Sequence, residues 1–577
     1  MMNWYFLNLL GVALVNAACY EPNQAYPPPS YAPDDALLKR TFASIHAALE
    51  VVVAAPEFAS TSFSVEVTSS KQSLWSQHHT AVERNASRPD IPTVNGDALY
   101  RIASVTKSFT VLALLYQHAA GNLSLDDSID TYIEELRGKE AGSIPWKDIT
   151  LRTLASQLSG IPREFAQSDL INSLPKPWEY GLPPVSRHGL LKCDEYSHGY
   201  DVPCDKANLL RSVKSKTPLF APNQRSTYSN VAFELLGLAI ENVTNQSYES
   251  YINDAIFKPL HMTKSTLSKP PDNAGVIPMD PQYWGVDEGI QNPTGGIYSS
   301  STDLSKYLRY ILTHYSDITS AASWAHPASP ATGLQSFYGM PWEIFQTNRI
   351  LINSSRTVRF ITKGGGLPGY FSIIMYLPEY DLGFTILVAG NSALLKTIRE
   401  LVTVEVVRAA EKIAIQQLQE RYAGKYVSSM AHLNSSMTLI ADHRGLVLAQ
   451  LISNGSDISG PGGLARMFAP PDRPWYGVLV PTLLYRNENA QKGEKWRLIL
   501  AEERTDGDQP IWEDFCVTDV DAANYGNLPV NEIVFWSGKG TAVETVELTG
   551  FRVTLSRQDE EEPSHLWTDE SQEPLEL

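Results

Sequence analysis

Ser104 and Lys107 are the residues of this 577-residue chain whose types and spacing first point to chemistry. In a helix that begins at Ser104, the amine of Lys107 lies one turn later on the same side and can reach the serine hydroxyl. A serine hydroxyl is a weak nucleophile at neutral pH and needs a neighbouring base. A lysine can be that base when burial and nearby cations lower its pKa. The pair therefore predicts nucleophilic catalysis. Ser173 and Lys176 have the same spacing, but they lie in a proline-rich stretch without a helical pattern, so we interpret that match as incidental.

The segment after Ser104 has apolar residues at helical spacing on two opposite faces. These residues are Val105, Phe109, Leu112 and Tyr116 on one face, and Val111, Leu114 and Leu115 on the other. The pattern predicts a helix that is buried on all sides and ends near Gly121. Ser104 would lie at its N-terminus, where the helix dipole stabilises developing negative charge.

Helical and extended patterns surround this helix in the order of an α+β domain. The expected helices are 34–53, capped by Asp34 or Asp35, then 149–158, 231–240, 304–312 and 393–420. The expected strands are 62–68, 73–77, 359–363, 371–377 and 383–389, of which the last two form a hairpin. From residue 421, short alternating strands at 437–441, 446–451, 496–500 and 546–553 predict a smaller all-β domain.

Five segments follow from these patterns. We expect a signal peptide at 1–18, an extended Pro- and Tyr-rich segment at 19–33, a catalytic domain at 34–420, an all-β domain at 421–558 and an acidic tail at 559–577. A membrane anchor is the alternative at the N-terminus, but its apolar run is shorter than the roughly 20 residues that a span needs. No later stretch is long and apolar enough to span a membrane.

The residues 163–215 have many prolines and little periodicity, and Cys193 and Cys204 bracket a polar loop within them. This predicts a disulfide-stapled insertion outside the core. Such a long loop either lines a binding site or is a surface insertion without a role in the reaction. Cys19 and Cys516 remain as a second pair by elimination.

Composition and glycosylation sequons indicate which kinds of partner the protein binds and in which compartment it works. The net charge of −18 and pI near 5.2 argue against nucleic-acid binding, which needs a basic face. The sequence also contains seven glycosylation sequons, which agree with export from the cell. They are at Asn85, Asn122, Asn242, Asn245, Asn353, Asn434 and Asn454. The sequence has no CxxC motif and no His/Cys cluster, so it predicts no metal site. We also expect no cofactor. The sequence gives no indication of the oligomeric state.

Two later motifs extend the Ser104/Lys107 pair into a pattern with a family resemblance. Tyr228-x-Asn230 opens a predicted helix, and Lys363-Gly364-Gly365 ends a predicted strand. The order of the three motifs resembles the serine β-lactamase/penicillin-binding-protein superfamily. The Tyr-x-Asn form is similar to class C β-lactamases, D-peptidases and related esterases and acyltransferases. The likeness covers roughly residues 35–415, and the all-β domain resembles the lipocalin-like appendages of some fungal and bacterial members.

The resemblance implies a role for each matched residue. Ser104 would form an acyl-enzyme, with Lys107 and Tyr228 exchanging its proton. Asn230 would hydrogen-bond Lys107 or a substrate amide, and Lys363 would lower the pKa of Tyr228. The backbone N–H groups of Ser104 and Gly366 would form the oxyanion hole. The glycines 364–366 would let the strand edge approach a substrate.

Gly364 departs from the family pattern, which often has Thr or Ser after the lysine to bind the β-lactam carboxylate. This favours an esterase, peptidase or acyltransferase over an efficient β-lactamase. The sequence therefore predicts a secreted serine hydrolase that acts on an ester, amide or lactam. The alternatives are an acyltransferase with the same mechanism and a catalytically silent binding or scaffold protein on this fold.

Overall fold

We describe the fold from a computed structural model of the full chain. It describes residues 21, 25–138, 142–166, 169–171, 174–186, 188–191, 193, 202–280, 283–319, 324–460, 462–468, 474–503, 520, 523–538 and 540–558. Two compact units share these residues. The larger comprises 30–350 and 357–409, and the smaller comprises 1–29, 351–356 and 410–577. The segments predicted as a signal peptide and as an acidic tail, together with Cys19 and Cys516, lie outside the described residues.

The larger unit is built on an antiparallel sheet of eight strands. In sheet order these are β2 (Ser73–His79), β1 (Ser62–Thr68), β10 (Leu382–Ala389), β9 (Tyr370–Leu377), β8 (Val358–Leu367), β7 (Glu343–Thr347), β6 (Ser336–Tyr338) and β5 (Ser329–Pro330). Every residue of β1 and β10 is buried, so the sheet is covered on both faces at these two strands. A short pair, β3 (Tyr100–Arg101) and β4 (Tyr298–Ser299), lies outside this sheet.

Helices occur in every range of this part of the chain where the sequence predicted one. They are α1 (Ala36–Val53), α2 (Thr106–Ala119), α3 (Leu151–Ala155), α4 (Lys206–Ser215), α5 (Val231–Thr244), α6 (Tyr248–Ile252), α7 (Asn292–Gly295), α8 (Ser301–Thr319) and α9 (Ala393–Arg421). Asp35 caps α1 by accepting a hydrogen bond from the Leu38 amide at 2.9 Å. The predicted all-round burial of the helix after Ser104 is confirmed, since α2 is buried over nearly its whole length.

Two predictions, one about a helix and one about the insertion 163–215, need correction. The expected helix 149–158 is confined to Leu151–Ala155, because Thr150 caps it and Gln157 has a positive φ of 63° that turns the chain away. The expectation that 163–215 lies outside the core is wrong for its last part. Cys193 and Cys204 form the predicted disulfide, and both join the main core together with apolar residues of α4.

The smaller unit is an all-β domain of antiparallel strands. Its strands are β11 (Gly424–Val427), β12 (Ser436–Asp442), β13 (Gly445–Ser453), β14 (Ser456–Asp457), β15 (Trp475–Asn487), β16 (Lys492–Glu502), β17 (Asn524–Tyr525), β18 (Leu528–Pro529), β19 (Glu532–Ser537), β20 (Val543–Leu548) and β21 (Val553–Arg557). Pairing of β12 with β13 closes the main sheet on itself, which is consistent with the predicted lipocalin-like fold. The expected strand 546–553 is two strands, because a turn at Arg552, with φ of 54°, separates β20 from β21.

Candidate active site

Ser104 lies in a single 3-10 turn, Ala103–Val105, that leads directly into α2. Ala103 has a φ of 47°, a left-handed conformation that is strained for a residue with a Cβ and is typical of functional sites. Lys107 is completely buried, and its Nζ donates a hydrogen bond to Ser104 Oγ at 3.1 Å. A second bond, to the Thr294 carbonyl at 2.9 Å, also holds the amine. The amine is therefore held where it can take the hydroxyl proton.

Tyr228 approaches the same hydroxyl from the segment before α5. Its phenol interacts with both Ser104 and Lys107. Three cations surround its ring, with Arg163 Cζ at 4.7 Å, Lys107 Nζ at 5.2 Å and Lys363 Nζ at 5.4 Å from the ring centre. The structure thus brings together residues from all three sequence motifs.

The charges in this cluster shift its pKa values towards proton exchange. Burial lowers the pKa of Lys107, and the Lys363 charge acts in the same direction against the attraction of Tyr228. Burial would raise the pKa of Tyr228, but the charges of Lys107 and Lys363 outweigh it and the net shift is downwards. A lysine and a phenol with lowered pKa values are suited to move a proton nearer neutral pH.

Lys363, on β8, is held by a carboxylate from the adjacent strand. Its Nζ donates to Glu343 Oε1 at 2.6 Å, and the Gly364 amide donates to Glu343 Oε2 at 2.9 Å. Burial alone would lower the pKa of Lys363, but Glu343 and Tyr228 reverse this and raise it. Lys363 therefore remains a cation beside the phenol. No motif in the sequence indicates a role for Glu343, because only the fold brings it next to Lys363.

Gly365 is required by the close approach of β8 to the nucleophile. A Cβ at Gly365 would lie 2.3 Å from the Ile102 carbonyl oxygen, 2.4 Å from Ser372 Oγ and 3.1 Å from Ser104 N. At Gly366 a Cβ would meet only a ring atom of Phe371, at 3.9 Å. The two adjacent glycines therefore differ sharply in the space around them.

We expect Gly365→Ala to lower the free energy of unfolding by about 1–3 kcal/mol, since β8 or the Ser104 turn must move to admit the methyl group. The matched change Gly366→Ala, which meets no close atom, should stay within about 0.5 kcal/mol of the wild type. Urea unfolding followed by tryptophan fluorescence measures both. Equal stability of the two variants would contradict the close packing at Gly365.

Asn230 was expected to hydrogen-bond either Lys107 or a substrate amide. In the structure its side chain binds Glu164 and not Lys107. Its Nδ2 donates to Glu164 Oε1 at 2.5 Å, whereas the hydrogen bonds of the Lys107 amine go to Ser104 and Thr294. Burial raises the pKa of Glu164 in spite of the opposing charges of Arg163 and Lys107. No signal in the sequence indicated Glu164, because a loop residue 66 positions away from its partner has no periodic pattern.

The remaining predictions concern glycosylation, metal binding and membrane spanning. Six sequon asparagines are exposed, at Asn122, Asn242, Asn245, Asn353, Asn434 and Asn454, and Asn85 is half-buried. Within the described parts of the chain, no group of three His, Cys, Asp or Glu side chains could hold a metal ion. None of the helices described above combines the length and apolarity that crossing a membrane requires.

Comparison with known proteins gives matches over both units. The Beta-lactamase family profile matches residues 62–402, and the profile described as "Beta-lactamase-like-like, C-terminal domain" matches residues 414–559. The "Probable hydrolase M10" of Phoma sp. is 33% identical, over 93% of this chain and 91% of the relative. The "Probable hydrolase clz13" of Cochliobolus lunatus is 32% identical, over 95% of this chain and 93% of the relative.

Solved structures also match. A class C β-lactamase from Rhodobacter sphaeroides is 19% identical with a TM-score of 0.47, and the match covers 63% of this chain and 98% of that protein. An octameric penicillin-binding protein homologue from Pyrococcus abyssi is 17% identical with a TM-score of 0.49, over 89% of this chain and 99% of that protein.

Proposed function

Because the chain belongs to the β-lactamase family, we propose that it is a serine hydrolase whose Ser104 forms an acyl-enzyme with an ester, amide or lactam. The observation that carries this proposal is the 3.1 Å hydrogen bond between the buried amine of Lys107 and the Ser104 hydroxyl. Burial of the Lys107 amine outweighs the attraction of Tyr228 and Glu164, so the pKa of Lys107 is lowered and the amine loses part of its affinity for a proton. It can then accept the proton that Ser104 must lose.

The proposed reaction has two halves. In the first, Ser104 Oγ attacks the carbonyl carbon, and its proton passes to the Lys107–Tyr228 pair and then to the leaving alcohol or amine. In the second, the same pair takes a proton from water, the resulting hydroxide attacks the acyl-enzyme, and the proton returns to Ser104. The amide of Ser104 and that of Gly366, the residue after the closely packed Gly365, are proposed to stabilise the oxyanion.

Gly364 and Glu343 are expected to shape the choice of acyl donor. Gly364 offers no hydroxyl to a substrate carboxylate, and its amide is already bonded to Glu343. The carboxylate of Glu343 also occupies one side of the Lys363 cation. We therefore propose that neutral esters acylate Ser104 faster than β-lactams that carry a carboxylate.

Covalent labelling tests the proposed function. We expect the folded protein to react with a fluorophosphonate probe, and peptide mapping to place the adduct on Ser104. A fluorescent penicillin should label the same residue more slowly. Protein denatured by heat before labelling is the control. If the folded protein takes no label from either probe, or takes it on another residue, the acyl-enzyme proposal fails.

The same probe tests the proposed export. We propose that the protein is secreted and glycosylated, on the support of the Cys193–Cys204 disulfide and of six exposed sequon asparagines. When a eukaryotic host expresses the full chain, labelled protein should accumulate in the culture medium and shift to lower mass after endoglycosidase treatment. Labelled protein that stays in the cells without such a shift would contradict export.

A further inference from the structure

A cavity of about 830 Å³ lies in the larger unit, between its sheet and the N-terminal half of α9. We call it the sheet–α9 cavity. Its floor includes alternate residues of two paired strands, which are Phe360, Thr362 and Gly364 of β8 and Ile373 and Met375 of β9. Successive side chains of a strand point to opposite faces, so this floor lies on the face opposite to the Lys363 side chain. Ser104, Lys107 and Tyr228 take no part in its wall, and the cavity is therefore distinct from the candidate active site.

α9 forms the other wall of the cavity over a long distance. The wall residues of this helix fall into two neighbouring rows of residues four apart, as expected for one helix surface. One row is Leu395, Arg399 and Thr403, and the other is Glu400, Val404 and Arg408. With a rise of about 1.5 Å per residue, the rows extend over roughly 20 Å. Arg408 Nε donates to the Ile350 carbonyl at 2.9 Å, which ties this end of the wall to the chain after β7. The cavity is elongated and suits a ligand with an extended chain.

Apolar side chains line both walls of the cavity. Phe345 of β7 and Phe360 of β8 stack with their ring centres 6.4 Å apart, and Phe345 is 40% exposed. Met375 continues this surface, and Leu395 and Val404 contribute to it from α9. The volume is within the range of about 300–1,000 Å³ that small-molecule sites usually have. Part of this apolar surface, including the Phe345 ring, is therefore open to a ligand.

Three arginines line the cavity of a protein whose net charge is −18, and they are Arg349, Arg399 and Arg408. Arg408 lies 3.5 Å from the carboxylate of Glu405. In the described parts of the chain, no carboxylate forms an ion pair with either of the other two arginines. Of the two carboxylates in the wall, Glu343 is already bonded to Lys363, so only Glu400 opposes the arginines. A guanidinium presents paired N–H donors that match a carboxylate, so this excess of positive charge favours an anionic ligand.

We propose that the sheet–α9 cavity binds a long-chain carboxylate, with its chain along the phenylalanine rings and its carboxylate paired with the arginines. The apolar walls account for the chain, because removing methylene groups from water drives binding. The arginines account for the carboxylate, because a charge-assisted pair is stronger than a neutral hydrogen bond. This binding site is separate from the proposed acylation of Ser104 and does not depend on whether the protein hydrolyses esters.

Three ligands with the same chain and different head groups test this inference. Decanoate, decanol and decylammonium carry a negative, a neutral and a positive head group, and isothermal titration calorimetry measures the Kd of each. In the wild type we expect decanoate to bind at least about tenfold more tightly than the other two, the scale of hydrogen bonds to a charged group. Binding of decanoate no tighter than that of decanol overturns the inference without the need for a variant.

Removing two of the charges tests the role of the arginines. We expect the double variant Arg349→Gln/Arg399→Gln to weaken decanoate binding at least about tenfold and to leave decanol binding within about threefold of the wild type. Arg40→Gln/Lys396→Gln is the matched control, because it removes the same charge from two exposed side chains outside the cavity wall, one of them on α9. It should change neither Kd. Unchanged decanoate binding in the arginine variant places the ligand elsewhere and overturns the inference.

Filling the cavity tests where the chain of the ligand lies. Val404 is half-buried in the wall, so the larger ring of Val404→Trp should occupy part of the volume and weaken decanoate and decanol binding alike, each at least about tenfold. Val51→Trp, at a position 76% exposed on α1, is the control and should change neither. Normal decanoate binding by folded Val404→Trp overturns the inference. A lower molar mass of Val404→Trp than of the wild type in light scattering also overturns it, because a second copy of the chain then covers the cavity.

Discussion

Replacing Ser104 with alanine is expected to lower the turnover of p-nitrophenyl acetate by at least about 1,000-fold and to abolish covalent labelling. The reason is that no other oxygen replaces Oγ at the position where Lys107 and Tyr228 exchange its proton. The residual rate would come from stabilisation of the oxyanion alone. Initial rates with p-nitrophenyl acetate and intact-mass analysis after labelling measure the two effects.

Ser108→Ala is the matched control for this change. Ser108 lies on α2, one turn after Ser104, and is buried, but its Oγ donates to the Val105 carbonyl and not towards the catalytic groups. We expect turnover within about threefold of the wild type, since sites without a role in the reaction change it little. If Ser104→Ala retains the activity of Ser108→Ala, Ser104 is not the nucleophile.

The elements that carry the site could be predicted because each has a strong local pattern. The apolar residues that follow Ser104 are spaced for a helix buried on all sides, and α2 has that burial. The hairpin of β9 and β10 was visible because two long apolar runs flank a four-residue turn. In both cases local preference and tertiary burial favour the same structure, so the sequence alone suffices.

Elements decided by tertiary contacts were harder to predict. The three glycines after Lys363 suggested the end of a strand, but β8 continues through them because β9 pairs with each of them. Conversely, a helical pattern extended past Ala155, where the left-handed Gln157 ends α3. In the smaller unit, β15 and β19 were not predicted, although both pair along much of their length with β16. Strand preference is weak outside its sheet context.

The residues of the candidate site also differ in whether a local sequence pattern predicts them. Ser104, Lys107, Tyr228 and Lys363 were found because their motifs fall at boundaries of predicted elements. Glu164 and Glu343 were not found, although each bonds a motif residue directly. Both are single carboxylates without a pattern, and their importance depends on which side chain the fold places opposite them.

Removing either proton-exchanging group is expected to lower turnover of p-nitrophenyl acetate by at least about 100-fold, the usual scale for general acid–base groups. Lys107→Ala removes the amine bonded to Ser104 Oγ, and Tyr228→Phe removes only the phenol oxygen. The two effects should be far from additive in the double variant, because the residues share one proton. Stopped-flow or steady-state rates at several pH values measure them.

The pH profile gives these variants a second readout. The pair must be partly deprotonated to accept the serine proton, so wild-type kcat/KM should fall as pH drops through its apparent pKa. That pKa should lie below the ordinary values of both lysine and tyrosine, because the pKa of each group is lowered here. Tyr248→Phe is the matched control, since Tyr248 is buried against Thr110 of the same helix and away from Ser104. Near-normal turnover in Lys107→Ala or Tyr228→Phe, with the protein folded, would remove that residue from the mechanism.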